Sequence, residues 1–202
     1  DPILIDVSTS ITTAGMAAKY LGTPRDARSL GYLSWTSGAL GYTYGAHGIW
    51  NWQTDPAQAY HWSKAIDYPS SMQMRYLHDF FAGIEWWRLE PAHGLIRNQA
   101  AASTNQMTLA RSAAGDLAVA YLPNASPIQI DMTSFPRPMR GHWFDPVRNL
   151  QLPIAEAIPA GGVQTLAPPA AGDWVLRLTE AKPRLMVLTD IGGDADDQQS
   201  MV

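Results

Sequence analysis

Apolar residues fall in short runs along this chain, and the spacing within those runs changes character near residue 91. Ile3-Leu4-Ile5-Asp6-Val7 is β-branched and nearly continuous, the pattern of a strand buried on both faces of a parallel sheet. Pro24-Arg25-Asp26 predicts a helix start, and Leu30, Leu33 and residues 34–40 carry apolar and small side chains at helical spacing to an end near Gly41. Gly41-Tyr42-Thr43-Tyr44-Gly45 is a second short β-prone stretch, followed over 46–53 by a loop rich in His, Gly and Trp. With Ser70 or Ser71 as N-cap, Met74, Leu77, Phe81 and Ile84 recur at i, i+3, i+7 and i+10, and Arg75, His78 and Asp79 lie elsewhere on the wheel. Strand, helix, strand, helix is the order of β/α units.

After Pro91 the runs shorten. Residues 107–111, 117–122, 127–132, 139–144, 163–167 and 174–178 are strand candidates separated by turn signals, among them Ala114-Gly115-Asp116 and Pro123-Asn124. Ile128, Ile130 and Met132 alternate with Gln129 and Asp131, which suits an antiparallel sheet with one face on a core. So many short strands in so few residues predict an antiparallel β-sandwich. Glu180-Ala181-Lys182-Pro183-Arg184 reads as a linker, and the apolar run 185–188 restarts a strand.

Composition narrows the partners. A 46% hydrophobic content supports a packed core, while a net charge of −4 with scattered Lys and Arg offers no field for a phosphate backbone, so nucleic acid is excluded. No apolar run approaches the roughly 20 residues that span a bilayer, so no membrane is expected. The absence of cysteine removes disulfides and thiolate metal sites. Aromatic usage is uneven: six of the eight Trp lie between Trp35 and Trp87, where flat faces with a polar handle suit sugar rings as well as core filling.

The segment Gly38-Ala39-Leu40-Gly41-Tyr42-Thr43-Tyr44-Gly45-Ala46-His47-Gly48-Ile49-Trp50-Asn51-Trp52 closely resembles the last strand and loop of the apiosidase-like glycoside hydrolase barrels. Glu85-Trp86-Trp87-Arg88-Leu89-Glu90-Pro91 resembles the exit from their final helix. Gly141-His142-Trp143-Phe144-Asp145-Pro146, Pro168-Pro169 and Asp173-Trp174-Val175-Leu176 resemble the β-sandwich that follows, a domain named for collagen binding. The resemblance covers about residues 20–178 and implies a glycosidase built on two carboxylates. No Glu precedes Glu85, so Asp6 is the candidate catalytic carboxylate, its partner lying upstream of the chain. The carboxyl end of a strand at 42–44 is where a barrel carries its site, which makes Tyr44, His47, Trp50 and Asn51 the substrate-binding candidates. Glu85 and Glu90, beside Trp86, Trp87 and Arg88, read as a domain junction. The domain name does not establish collagen binding, and a module that buttresses the barrel is expected instead.

Thr189-Asp190-Ile191-Gly192-Gly193-Asp194-Ala195-Asp196-Asp197 sets four carboxylates on a glycine-bearing loop after a strand, a pattern suited to a hard cation. Residues 184–197 resemble the opening of nucleoside-hydrolase-like domains, in the group often labelled cellulose-binding. That resemblance implies calcium, with Asp190 and Asp197 as metal ligands and Asp196 as a contact to sugar hydroxyls.

The expected fold is therefore α/β plus all-β. Residues 1–91 are read as the C-terminal part of a (β/α)8 TIM barrel, 92–180 as the sandwich, and 181–202 as a linker and the first strand of a further α/β domain. The chain reads as a fragment of a longer secreted or periplasmic glycoside hydrolase acting on plant-type or other complex polysaccharide, with no cofactor for the barrel. Two alternatives stay open: a noncatalytic carbohydrate- or matrix-binding module, and a calcium-dependent nucleoside-hydrolase-like N-glycosidase.

Overall fold

A computed structural model describes residues 5–9, 23–58, 60–99 and 105–181. The first strand, β1 (Ile5–Thr9), pairs in parallel with β2 (Tyr42–Ala46), and helix α1 (Pro24–Thr36) lies between them in the chain. Thr23 begins α1 with a capping box: its hydroxyl accepts from the Asp26 amide at 3.2 Å and the Asp26 carboxylate accepts from the Thr23 amide at 2.7 Å, with Pro24 filling the first turn. The helix stops at Thr36, short of the expected Gly41, because Gly38 takes a φ of +90° that no helix can continue. A single turn, α2 (Trp62–Ala65), precedes α3 (Pro69–Ala82). Neither Ser70 nor Ser71 caps α3. Pro69 starts it after Tyr68, and the Ser70 hydroxyl is held by that of Tyr44 at 2.5 Å. Gly31 lets α1 and α3 approach closely, since a Cβ there would stand 2.5 Å from Leu77 Cδ1.

Beyond α3 the described residues form strands, apart from two short 3-10 turns at Trp86–Arg88 and His93–Leu95. β3 (Leu89–Pro91), β4 (Thr108–Ser112), β5 (Leu117–Leu122), β6 (Ile128–Asp131), β7 (Met139–Asp145), β8 (Leu150–Pro153), β9 (Val163–Leu166) and β10 (Trp174–Glu180) follow in order. Six form one antiparallel sheet in the order β3-β4-β5-β10-β7-β8, and β6 pairs with β9 as a second layer. The six expected strands are present. The two further ones are short sheet edges whose sequence hides them: β3 is three residues and β8 four, both end in proline, and the Leu150-Gln151-Leu152 alternation of β8 is too brief to stand out as a strand. β3 also brings the start of the large sheet to Leu89, ahead of the expected boundary at 91/92.

The central strands of the large sheet are covered on both faces. On one, Ala118, Ala120 and Leu122 of β5, Trp174, Leu176 and Leu178 of β10, and Met139 and Trp143 of β7 pack against Ile128 and Ile130 of β6 to form the sandwich core. On the other, Val119 and Tyr121 of β5, Val175 of β10 and Phe144 of β7 pack against Tyr32 of α1 and Leu77, Phe80 and Phe81 of α3. Every residue of β5 is buried as a result. Tyr32 stacks on Tyr121 with centroids 5.4 Å apart, and Phe80 lies 4.9 Å from Phe144.

A polar cluster runs through this second interface. The Arg28 guanidinium grips Asp173 in a fork, Nε to Oδ2 at 2.7 Å and Nη2 to Oδ1 at 2.5 Å, and donates through Nη1 to Gln73 Oε1 at 3.0 Å. Tyr121 donates to Asp173 Oδ2 at 3.1 Å and shares a 2.5 Å hydrogen bond with Ser29. Arg28 and Asp173 are 7% and 4% exposed, so neither charge can be left alone. Removing one partner of a buried pair costs about 3–5 kcal/mol, whereas replacing both with apolar groups costs far less. Urea unfolding of Asp173→Asn should therefore show that scale of loss, and Arg28→Met with Asp173→Leu should lie closer to the parent than either single change. A single variant as stable as the parent excludes the pair as the brace.

Candidate functional site

The loop that leaves β2 is built around one buried histidine. His47 is 8% exposed, directly after the strand, and its Nδ1 has no hydrogen-bond partner among the described residues. Tyr60 packs edge-on against the ring at 4.3 Å and Trp50 at 5.7 Å. Gly48 makes that packing possible: its φ is +97°, and a Cβ would stand 2.1 Å from the Tyr60 carbonyl oxygen. Asn51 Oδ1 accepts from the Gly48 amide at 2.8 Å, and the amides of Ile49 and Trp50 both reach the Ala46 carbonyl, so the turn is tied at several points. Trp50, by contrast, is 56% exposed.

Residues 12–88 match the family described as "Apiosidase-like, catalytic domain", and residues 91–179 match "Putative collagen-binding domain of a collagenase". The chain pairs an apiosidase-like segment with a sandwich of the collagen-binding-domain type. A solved glycoside hydrolase is similar at 21% identity and a TM-score of 0.70, over 81% of this chain and 38% of that protein. A glycoside hydrolase family 5 structure from Bacteroides vulgatus ATCC 8482 is similar at 18% identity and a TM-score of 0.73, over 81% of this chain and 37% of its own. These likenesses are of fold, and the chain spans less than two fifths of each solved protein. No curated protein matches the chain.

Within the apiosidase-like segment the structure brings His47 and Trp50 together, and adds Tyr60, Trp52 and Trp62, which the sequence reading left aside. A signal for them was present in two aromatic-x-aromatic triplets, Trp50-Asn51-Trp52 and Tyr60-His61-Trp62. Tyr44 lies half-buried on β2 with its hydroxyl committed to Ser70, and Asn51 spends its carbonyl oxygen inside the turn. Asp6 sits on β1 opposite Thr43 in the parallel register. Asp190, Asp196 and Asp197 lie outside the described residues and outside both matched segments. Among the described residues, no group of three or more His, Asp or Glu is arranged to hold a metal, and no helix is long and apolar enough to cross a membrane.

The acids near the family boundary do structural work. Glu85 accepts from Arg88 Nη1 at 2.5 Å, and Arg88 Nη2 bridges both oxygens of Asp116 at 2.7 and 2.8 Å, fastening the exit of α3 to the β4–β5 turn. Arg88 and the Ser112 hydroxyl hold the Asp116 carboxyl below its usual range. In the sandwich, Asp145 accepts from the amides of Val147 and Arg148, so Asp145-Pro146 starts a turn.

Burial lowers the pKa of His47, which keeps the imidazole neutral near neutral pH. The unfolded chain titrates near the ordinary value of about 6.5, so below that pH it binds more protons than the folded protein. The contribution of neutral His47 to stability is complete above about pH 6.5 and declines as pH falls below it. Denaturant midpoints measured between pH 7.5 and 5.5 should fall less in His47→Gln than in the parent. An identical fall in both excludes His47 as a source.

Proposed function

We propose that this chain contributes the closing β/α portion of a (β/α)8-barrel glycoside hydrolase, braced by its sandwich, and that the loop after β2 binds a neutral sugar. In a barrel, the carboxyl ends of parallel strands carry the site. The observation that carries the reading is His47, buried with an unpartnered ring nitrogen beside the exposed face of Trp50 at the end of a parallel strand. A neutral imidazole nitrogen exchanges a hydrogen bond with a sugar hydroxyl, and an indole face covers the apolar side of the ring. Asp6, on the neighbouring strand β1, is the proposed catalytic carboxylate, with its partner supplied by another part of the parent protein. Plant-type or other complex polysaccharide is the proposed substrate, and export to it the proposed location.

A noncatalytic glycan-binding module would use the same aromatic loop, so the two readings divide on turnover. Covering about 60 Å² of indole face at about 25 cal/mol per Å² is worth about 1.5 kcal/mol, about tenfold in affinity. In the parent protein, Trp50→Ala should lower kcat/KM on the hydrolysed polysaccharide about tenfold. Asp6→Asn should abolish turnover while leaving glycan retention in affinity electrophoresis unchanged. Retention without hydrolysis by the unmodified parent would establish the binding module instead.

A further inference from the structure

Trp52 is the most unusual residue of the loop. Its φ is +46°, in the left-handed region that bulky side chains rarely enter, and its side chain is 64% exposed. Holding such a residue there costs of order 1 kcal/mol, and it persists only where the surroundings impose it. They do so here. The Trp52 amide donates to the Ile49 carbonyl, the Gln53 amide to that of Gly48, and the Trp62 amide to that of Gln53, each at 3.0 Å. The last of these bonds ties the two arms of the loop together, and the indoles of Trp52 and Trp62 stack across it at 5.5 Å and 13°. One face of Trp52 thus rests on Trp62, and most of the ring still meets solvent.

A strained conformation that exposes a large apolar ring does not serve the core. It presents a flat platform fixed in orientation, one residue beyond Asn51 and two beyond Trp50 in the same tied turn. The chemistry around it is uncharged: from Thr43 to Ser63, Asp55 is the one residue carrying formal charge, and no Lys or Arg occurs. The nearest cation along the chain is one lysine, Lys64, two residues past Trp62, a single charge for an anionic polymer, whereas a neutral sugar ring needs only an apolar face and hydroxyl partners.

We infer that Trp52, backed by Trp62, is a second sugar platform separate from the His47–Trp50 subsite, so that the ligand is a neutral glycan chain of at least two sugar units. This rests on the proposed function of the loop, which it deepens by assigning substrate length and charge. The strain is then spent on aim: the backbone holds the indole where a neighbouring sugar unit arrives.

Tryptophan-fluorescence titration of the parent protein tests this, with xylohexaose, cellohexaose and arabinohexaose as chain probes and the matching 4-nitrophenyl monoglycosides as short ones. Trp52→Gly is the informative variant, because glycine accepts the left-handed backbone and removes only the ring. Expected is an affinity for the preferred hexasaccharide about tenfold weaker, with monoglycoside affinity unchanged. Trp50→Ala should weaken both. If Trp52→Gly leaves hexasaccharide affinity intact while Trp50→Ala weakens both probes, the second platform is overturned and the sugar-binding reading of the loop stands. If Trp52→Gly weakens monoglycoside and hexasaccharide equally, the separate subsite is likewise overturned. Failure of the unmodified parent to bind any of these sugars overturns both.

Discussion

The structure depends on a β-sheet whose central strand, β5, has no solvent face. β5 is buried at all six positions because the same strand serves two cores, the sandwich through Ala118, Ala120 and Leu122, and the helical layer through Val119 and Tyr121. A sheet in that position needs its flanking helices set in a fixed register, and apolar contact alone does not supply one, since it is non-directional. The fork between Arg28 and Asp173 does. A bidentate guanidinium–carboxylate contact accepts little rotation, and here it is closed on a third side by Gln73 from α3 and on a fourth by Tyr121 from β5. Three elements and the residue that leads into β10 are thereby referred to one buried charge pair.

That brace has a consequence for the loop after β2. α1 follows β1 and precedes β2, and its polar end is fixed to the sandwich, while α3 lies across both through Gln73 and through Ser70, which meets Tyr44 on β2. The strand that delivers His47 is therefore referenced to the sandwich through two helices. The sandwich thus packs against the helices that orient a strand whose end carries the aromatic loop.

Much of this was legible from the chain. The continuous apolar run of β5, the alternation of β6 and the stripe Met74, Leu77, Phe81 all lead to the elements observed, because each reflects a local period. What was not legible is non-local. Arg28 and Asp173 are 145 residues apart, and nothing in either neighbourhood marks them as partners. Phe80 falls outside the expected stripe yet is buried, because the sheet wraps a wider arc of α3 than a single helical seam presents. β3 and β8 are edges too short for an apolar period to be read. At the site, strand-end logic led to His47 and Trp50. It passed over Trp52, Tyr60 and Trp62, whose contacts arise only once the chain has folded back from 62 to 53.

The contrast between the helical layer and the loop after β2 bears on how such a loop can evolve. Toward the sandwich, the contacts are apolar and aromatic over a wide area, so most substitutions there act on stability. Toward the loop, a few backbone bonds and one glycine hold everything: Gly48 admits the Tyr60 carbonyl, Asn51 closes the turn, and the three amide bonds of 52, 53 and 62 fix the tryptophans. Because those restraints are mostly main chain to main chain, the exposed ring faces are free to change without disturbing what positions them. A rigid scaffold under an interchangeable aromatic surface lets the exposed rings vary while the fold, clamped at Arg28, stays the same.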